Sequence, residues 1–280
     1  MNKTKLKTST SKLFTIVLPT VLFLVFLLFP FYWMFVTAVK TDAEIYTVPL
    51  LYWPKHFSWE NFQKLFGYFD FLKYMKNSLI IALATTVVSL FVSTLAAYTF
   101  TRYTFKGRKA LMALFLSNNM FPTVLLMIPL YAIMRKIGLL YTYTGMILAY
   151  TTFSIPFSVW LIQGFIRDIP YELEEAAMVD GCTRVGAFVH MLLPVLTPGL
   201  LAAGVYMFMQ AWNEYTLASM FTNPGTRTIP VALNSLIGQL GVDWGLLCAG
   251  GTITVIPVCI MFFFAQKRLV AGLTAGSVKG

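Results

Sequence analysis

The chain has 280 residues, of which 58% are hydrophobic and only 11% charged, and its formal net charge is +10. A soluble domain has about 25% charged residues and could not hide this much apolar surface, so the composition excludes a water-soluble fold and makes lipid the solvent. The cysteines (Cys182, Cys248, Cys259) show neither metal-ligand nor disulfide spacing, and the chain contains no Gly-Lys dipeptide, so the P-loop G-x4-G-K-[ST] is absent.

Six stretches carry no Asp, Glu, Lys or Arg. Lys12 to Lys40 encloses 27 such residues, Lys76 to Arg102 encloses 25, Lys109 to Arg135 another 25 and Lys136 to Arg167 another 30. Arg184 to Glu214 encloses 29 and Asp243 to Lys267 encloses 23. About 20 apolar residues cross a bilayer as one helix. The expected fold class is therefore an all-α membrane protein with six transmembrane helices, near 13–38, 77–101, 110–134, 145–166, 199–220 and 245–266. A membrane β-barrel would instead alternate over segments of about 10 residues.

The first stretch follows Lys3, Lys5, Lys7 and Lys12. Its apolar length exceeds the roughly 7–15 residues of a cleavable signal segment, so a retained helix is expected. Six crossings put the N-terminus (1–12), 102–109, 167–198 and the C-terminal tail (269–280) on one face. With Lys267 and Arg268 at its edge, that face holds thirteen Lys and Arg and the other holds eight. By the positive-inside bias both termini are cytoplasmic. The basic balance then reflects topology, and no nucleic-acid partner is expected.

Between the fourth and fifth stretches lies a polar island. Five of the eleven acids, Asp168, Glu172, Glu174, Glu175 and Asp180, fall inside thirteen residues. Pro170 suits the first turn of a helix, and acids stabilise a helix start by about 0.3–1 kcal/mol each. Ala176, Ala177 and Met178 favour helix, and Gly181 suits the left-handed position after its end. Pro194 and Pro198 are expected to break the chain before the fifth span. A solvated surface helix would explain charge clustering alone.

The spacing adds more. Glu175-Ala176-Ala177, three residues, Gly181, nine residues, Met191, one residue and Leu193-Pro194 resemble the signature loop of ABC importer permeases, EAA-x3-G-x9-I-x-LP. Met191 in place of Ile is the one departure. Within that family the chain resembles the carbohydrate-uptake group, and there the smaller permease of maltose-type importers. The stretches FPFYWMFVTAVKT (29–41), QAWNEYTLASMFTNP (210–224), TIPVALNSLIGQLGVDWGLLCAGGTITVIP (228–257) and GLTAGSVKG (272–280) carry that likeness over nearly the whole chain.

The resemblance implies a single permease domain over 1–280 in a bacterial or archaeal cell membrane. It implies a second, homologous permease, two cytoplasmic ATPases that bind ATP and Mg, and an extracytoplasmic binding protein that delivers a sugar. This chain itself would bind no cofactor and hold no catalytic or metal site. The loop 168–198 would be the coupling loop, with Glu174, Glu175, Ala176, Ala177, Asp180, Gly181, Leu193 and Pro194 gripping an ATPase. Leu273, Thr274 and Gly276 would place the tail between the ATPases, although a free end would look the same in sequence. The loop 221–244 resembles the family's external loop that probes the binding protein's sugar cleft, and a plain outer loop is the simpler alternative.

Polar groups within the spans are functional candidates by default. Asn118 and Asn119 lie in the third. Trp212, Asn213, Glu214 and Tyr215 lie in the fifth, where aromatic, amide and carboxyl groups sit together as in sugar sites. A partner-paired structural carboxylate is the alternative for Glu214. The competing function is a self-contained secondary transporter or channel. A proton-coupled carrier would show several buried acids, and Glu214 is the only acid in the expected spans.

Overall fold

The computed structural model describes residues 12–118, 120–238 and 241–277. A π-helical turn, Leu13–Val17, leads into α1 (Leu18–Ala38), followed by α2 (Asp42–Ile45), α3 (Glu60–Gly67) and α4 (Phe71–Arg102). Next come α5 (Arg108–Asn118), α6 (Thr123–Lys136), α7 (Tyr143–Arg167) and α8 (Glu172–Val179). Then α9 (Arg184–Ala187) joins α10 (Leu193–Trp212) through a second π turn, Phe188–Leu192. Two short helices, α11 (Thr216–Phe221) and α12 (Ile229–Asn234), precede an antiparallel pair of two-residue strands, β1 (Ile237–Gly238) and β2 (Gly241–Val242). The last helix is α13 (Trp244–Ser277).

Five helical stretches among the described residues are long and apolar enough to cross a membrane: Leu13–Ala38, Phe71–Arg102, Tyr143–Arg167, Arg184–Trp212 and Trp244–Gln266. Six were expected. The expected third span, 110–134, is two helices, α5 and α6. Pro122 caps α6 with φ −59° and ψ 123°. Proline has no N–H to give the ladder and disfavours helix at the preceding residue, here Phe121.

The expected fifth span is shifted. It starts at Arg184 and ends at Trp212, rather than covering 199–220. The two prolines do not break it. Pro194 sits in the first turn of α10, directly after the wide π turn, and Pro198 is carried inside the helix. A π turn re-phases the hydrogen-bond ladder and leaves room for a residue without a donor. The helix unwinds at Asn213, where the Glu214 carboxylate takes the backbone amides of Leu217 at 2.8 Å and Ala218 at 3.0 Å and starts α11. A side chain that bonds the following amides competes with helix continuation. The last helix was expected to end near Lys267-Arg268, yet it runs to Ser277. Gly272 and Gly276 weaken that turn by about 1 kcal/mol each relative to alanine without ending it.

The chain forms two compact units, Met1–Phe71 with Ser235–Val255, and Leu72–Asn234 with Ile256–Gly280. In the first, α1 is exposed along most of its apolar length. Its end is secured by Asn61, whose Nδ2 donates to Ala38 O at 3.0 Å and Lys40 O at 2.9 Å. Lys40 is buried, bonds Leu51 O and lies 4.6 Å over the Trp33 ring. Gly245 passes so close to Asn61 that a Cβ there would stand 2.5 Å from its Oδ1.

The second unit has its core where α4, α7 and α10 meet. Ala97, Val159, Ile162, Ile166, Leu196 and Ala203 are almost wholly buried there. Close approach of α7 and α10 depends on Gly199, where a Cβ would stand 2.5 Å from Phe165 Cγ. Small residues let membrane helices approach in this way. Gln163 Nε2 donates to Phe100 O at 3.1 Å and ties α7 to α4.

Candidate functional site

The acidic island folds as the sequence suggests, with one change at its start. Pro170 lies just outside α8, and Tyr171 precedes the first helical residue with helical dihedrals. Glu172, Glu174 and Glu175 occupy the first turn. At the other end Gly181 has φ +95°. Gly181 N–H donates to Met178 O at 3.1 Å and Cys182 N–H to Ala177 O at 2.9 Å. This is the Schellman pairing, and it needs a residue that tolerates the left-handed region.

The candidate coupling residues divide by exposure. Glu175, Ala176, Asp180, Gly181 and Pro194 are exposed, while Leu193 is half-buried. Ala177 is buried and packs the helix down. Beside the exposed acids stand Val179, 87% exposed, and Val185, 71% exposed. The outward surface is thus acidic, small and apolar.

Glu174 points the other way and is only 2% exposed. Its Oε1 accepts from Arg102 Nε at 2.7 Å and its Oε2 from Tyr98 O–H at 2.8 Å. Arg102 also donates through Nη2 to Ile169 O at 3.0 Å and lies over the Tyr171 ring at 5.4 Å. Two neighbouring glutamates therefore differ in role: Glu174 fastens α8 to the end of α4, and Glu175 faces outward. Arg102 and Tyr98 were not singled out from sequence, because nothing local links them to a residue more than seventy positions away.

The expected intramembrane candidates are only partly brought together. Trp212 is buried against Phe208, with ring centroids 5.5 Å apart. Asn213 is exposed and donates back to Met209 O at 2.9 Å. Tyr215 O–H accepts from Asn234 Nδ2 at 2.9 Å. The Asn118 side chain and all of Asn119 lie outside the described residues, as do the side chains of Leu273 and Thr274 in the tail. Gly276 lies within α13.

Glu214 is at the edge of a cavity of about 210 Å³. Tyr150, Phe153 and Ser154 of α7 form one wall and Tyr206 and Gln210 of α10 another. Phe121 and Thr123 line it beside the break between α5 and α6. Tyr206 and Gln210 lie one turn apart on α10 and Glu214 follows just past its end; the four-residue spacing was the available sequence signal. Gln210 Nε2 donates to Tyr206 OH at 3.0 Å, and Tyr150 O–H donates to Glu214 O at 3.4 Å.

Residues 89–275 match the family described as binding-protein-dependent transport system inner membrane component. The chain is 37% identical over 254 residues to the sulfoquinovosyl glycerol transport system permease SmoH of Agrobacterium fabrum, covering 90% of this chain and 89% of that protein. It is 34% identical over 269 residues to the trehalose/maltose transport system permease MalG of Thermococcus litoralis, covering 95% and 96%. Among solved structures, a chain of a bacterial ABC transporter that imports the acidic polysaccharide alginate has the same fold, with TM-score 0.78 at 21% identity, over 92% of this chain and 97% of that one.

Proposed function

The chain belongs to the binding-protein-dependent transport system inner membrane components, and from that premise we propose that it is one half of the membrane pore of a sugar or oligosaccharide importer. Its substrate arrives on an extracytoplasmic binding protein. A second, homologous permease completes the pore, and two cytoplasmic ATPases supply the work with their own ATP and Mg. Near-full-length likeness to two sugar-system permeases supports the substrate class.

The observation that carries the coupling role is the two-sided construction of α8. A helix that receives force must be gripped outside and held firmly inside. Glu175, Ala176, Asp180, Gly181 and Val179 offer the outer grip, since small side chains allow close docking and carboxylates pair with basic groups. The Glu174–Arg102 pair supplies the inner hold. Leu193 and Pro194 continue the same stretch into α10, so displacement of α8 reaches a spanning helix. The tail around Leu273, Thr274 and Gly276 is a second ATPase contact in this reading.

Five long helices with the interrupted pair α5–α6 make six crossings, with both termini cytoplasmic by the distribution of Lys and Arg. Broken backbone at membrane depth is tolerated where protein or a water-filled cavity receives it, which suits the cavity beside Phe121 and Thr123.

Reconstitution tests the proposal. The chain, its sister permease, the ATPases and the binding protein are placed in proteoliposomes with labelled trehalose, maltose and other glycosides. ATP-dependent accumulation of at least one glycoside is expected. Import of amino acids or ions alone would refute the substrate class.

A further inference from the structure

We infer that the cavity bounded by Tyr150, Ser154, Tyr206, Gln210 and Glu214 is a transit subsite for one neutral, hydroxyl-rich sugar ring, contributed by this subunit itself. The inference rests on the importer reading above and adds the location and charge class of the contact.

Two helix breaks meet at this cavity. Phe121 lies in the interruption between α5 and α6 and Thr123 opens α6; Glu214 lies in that between α10 and α11 and Leu217 is in the first turn of α11. The α11 helix also packs on α6, with the Tyr131 and Phe221 rings 6.1 Å apart. Interrupted helices at membrane depth expose backbone groups that lipid cannot satisfy, so they are buried in protein or line a polar space, and here a cavity lies beside both breaks. Here α6 begins without a side-chain cap, on Pro122.

The lining chemistry matches a sugar. Tyr206, Tyr150 and Phe153 contribute aromatic rings to the lining. The Glu214 carboxylate has about four acceptor positions, and backbone amides of Leu217 and Ala218 use two of them. The rest can accept sugar hydroxyls. Gln210 uses one amide hydrogen on Tyr206, which leaves its second hydrogen and its carbonyl oxygen. The amides on Glu214 also hold the carboxylate in place, so little ordering is needed when a ring enters. A lipid chain would gain nothing from these groups.

The charge class follows from the same wall. Among the described residues the lining includes one acid and no Lys, Arg or His. An anionic sugar, a uronate or a sulfonated one, would meet Glu214 with no cation from this subunit to offset it, and like charges in a poorly solvated site repel strongly. A neutral glycoside meets no such barrier.

The test uses the complete reconstituted importer. With the native cysteines changed to serine, Gln210→Cys is labelled by a small hydrophilic thiol reagent. Excess trehalose or maltose should slow labelling, and oligogalacturonate or sulfoquinovosyl glycerol at equal concentration should not. In separate variants, Tyr206→Phe and Gln210→Ala should lower the ratio of sugar imported to ATP hydrolysed by about tenfold, the scale of a lost hydrogen bond to substrate in transit. If the parent imports a glycoside while labelling ignores every sugar and both variants import like the parent, the subsite is refuted and the importer reading stands. Equal protection by anionic sugars overturns the charge class. If the parent imports no glycoside, the importer reading fails and the subsite falls with it.

Discussion

Arg102 and Glu174 form an ion pair 2.7 Å long whose side chains are 9% and 2% exposed. Seventy-two positions separate them. The pair joins the end of α4 to the first turn of α8, with Tyr98 completing the carboxylate's bonds. Breaking a buried pair from one side leaves a charge without solvent or partner, at roughly 3–5 kcal/mol. Arg102→Ala and Glu174→Gln should each lower the thermal midpoint of the detergent-solubilised complex by several degrees. The exchange Arg102→Glu with Glu174→Arg should recover part of that loss. Unchanged midpoints in both single variants would show that the pair holds nothing.

Glu175 and Gly181 should behave differently, because they face outward. If α8 docks on a basic ATPase surface, Glu175→Lys sets like charges together there, and it should leave the midpoint within error. ATPase co-purification and sugar-stimulated hydrolysis should fall several-fold. A Cβ at Gly181 meets no neighbouring atom within 4 Å, so the main penalty of Gly181→Val is in the backbone. A β-branched residue at φ +95° loses about 1–2 kcal/mol, which should fray the end of α8 and lower stimulation. Parental stimulation in both variants would remove α8 from the coupling path.

The contrast between these glutamates marks the limit of what sequence conveys. Clustered acids, the alanines and Gly181 predict a short capped helix, and α8 is one, because capping and propensity act over a few neighbours. Which glutamate turns inward depends on Arg102, which only the tertiary fold brings near. The third span is not the single helix expected for a related reason: apolarity alone reads straight through Pro122, and its conformation splits the stretch into α5 and α6. Pro194 fails in the opposite sense, since a π turn accommodates it. Glu214 is legible as a polar group in an apolar stretch, but its service to the α11 amides appears only once the helix is seen to stop at Trp212.

Asn77 should anchor the segment that follows α11. Its Nδ2 donates to Gly225 O at 3.1 Å and Arg227 O at 2.8 Å, and its Oδ1 accepts from Tyr143 O–H at 2.6 Å. Asn77→Ala leaves these groups unpaired, at about 1–3 kcal/mol for each that stays buried. If this segment faces outward, trypsin added to right-side-out cells should then cut at Arg227 faster than in the parent. Equal cleavage rates would mean that Ser78, which accepts from Ile229 N–H at 2.8 Å, is anchor enough.

Deleting 273–280 shortens α13 but should leave insertion intact, because the last membrane-length apolar stretch ends at Gln266. If the tail is a second ATPase contact, the truncated complex should lose ATPase during gel filtration or hydrolyse ATP with less sugar imported per turnover. A truncated complex that assembles and imports like the parent would make the tail a free end.

Cys182 provides a native reporter of topology. It is exposed at the end of α8, one residue past Gly181. If α8 faces the cytoplasm, a membrane-impermeant maleimide added to intact cells or spheroplasts should not reach Cys182, and inverted vesicles should expose it. A cysteine introduced for Glu60, exposed in the first turn of α3, should show the reverse. The two positions are separated by α4, by the pair α5–α6 and by α7. Opposite labelling therefore requires that α5 and α6 together complete one crossing, since α4 and α7 alone would return the chain to the side on which it began. Labelling of Cys182 and position 60 from the same side would overturn the six-crossing topology and with it the cytoplasmic placement of α8.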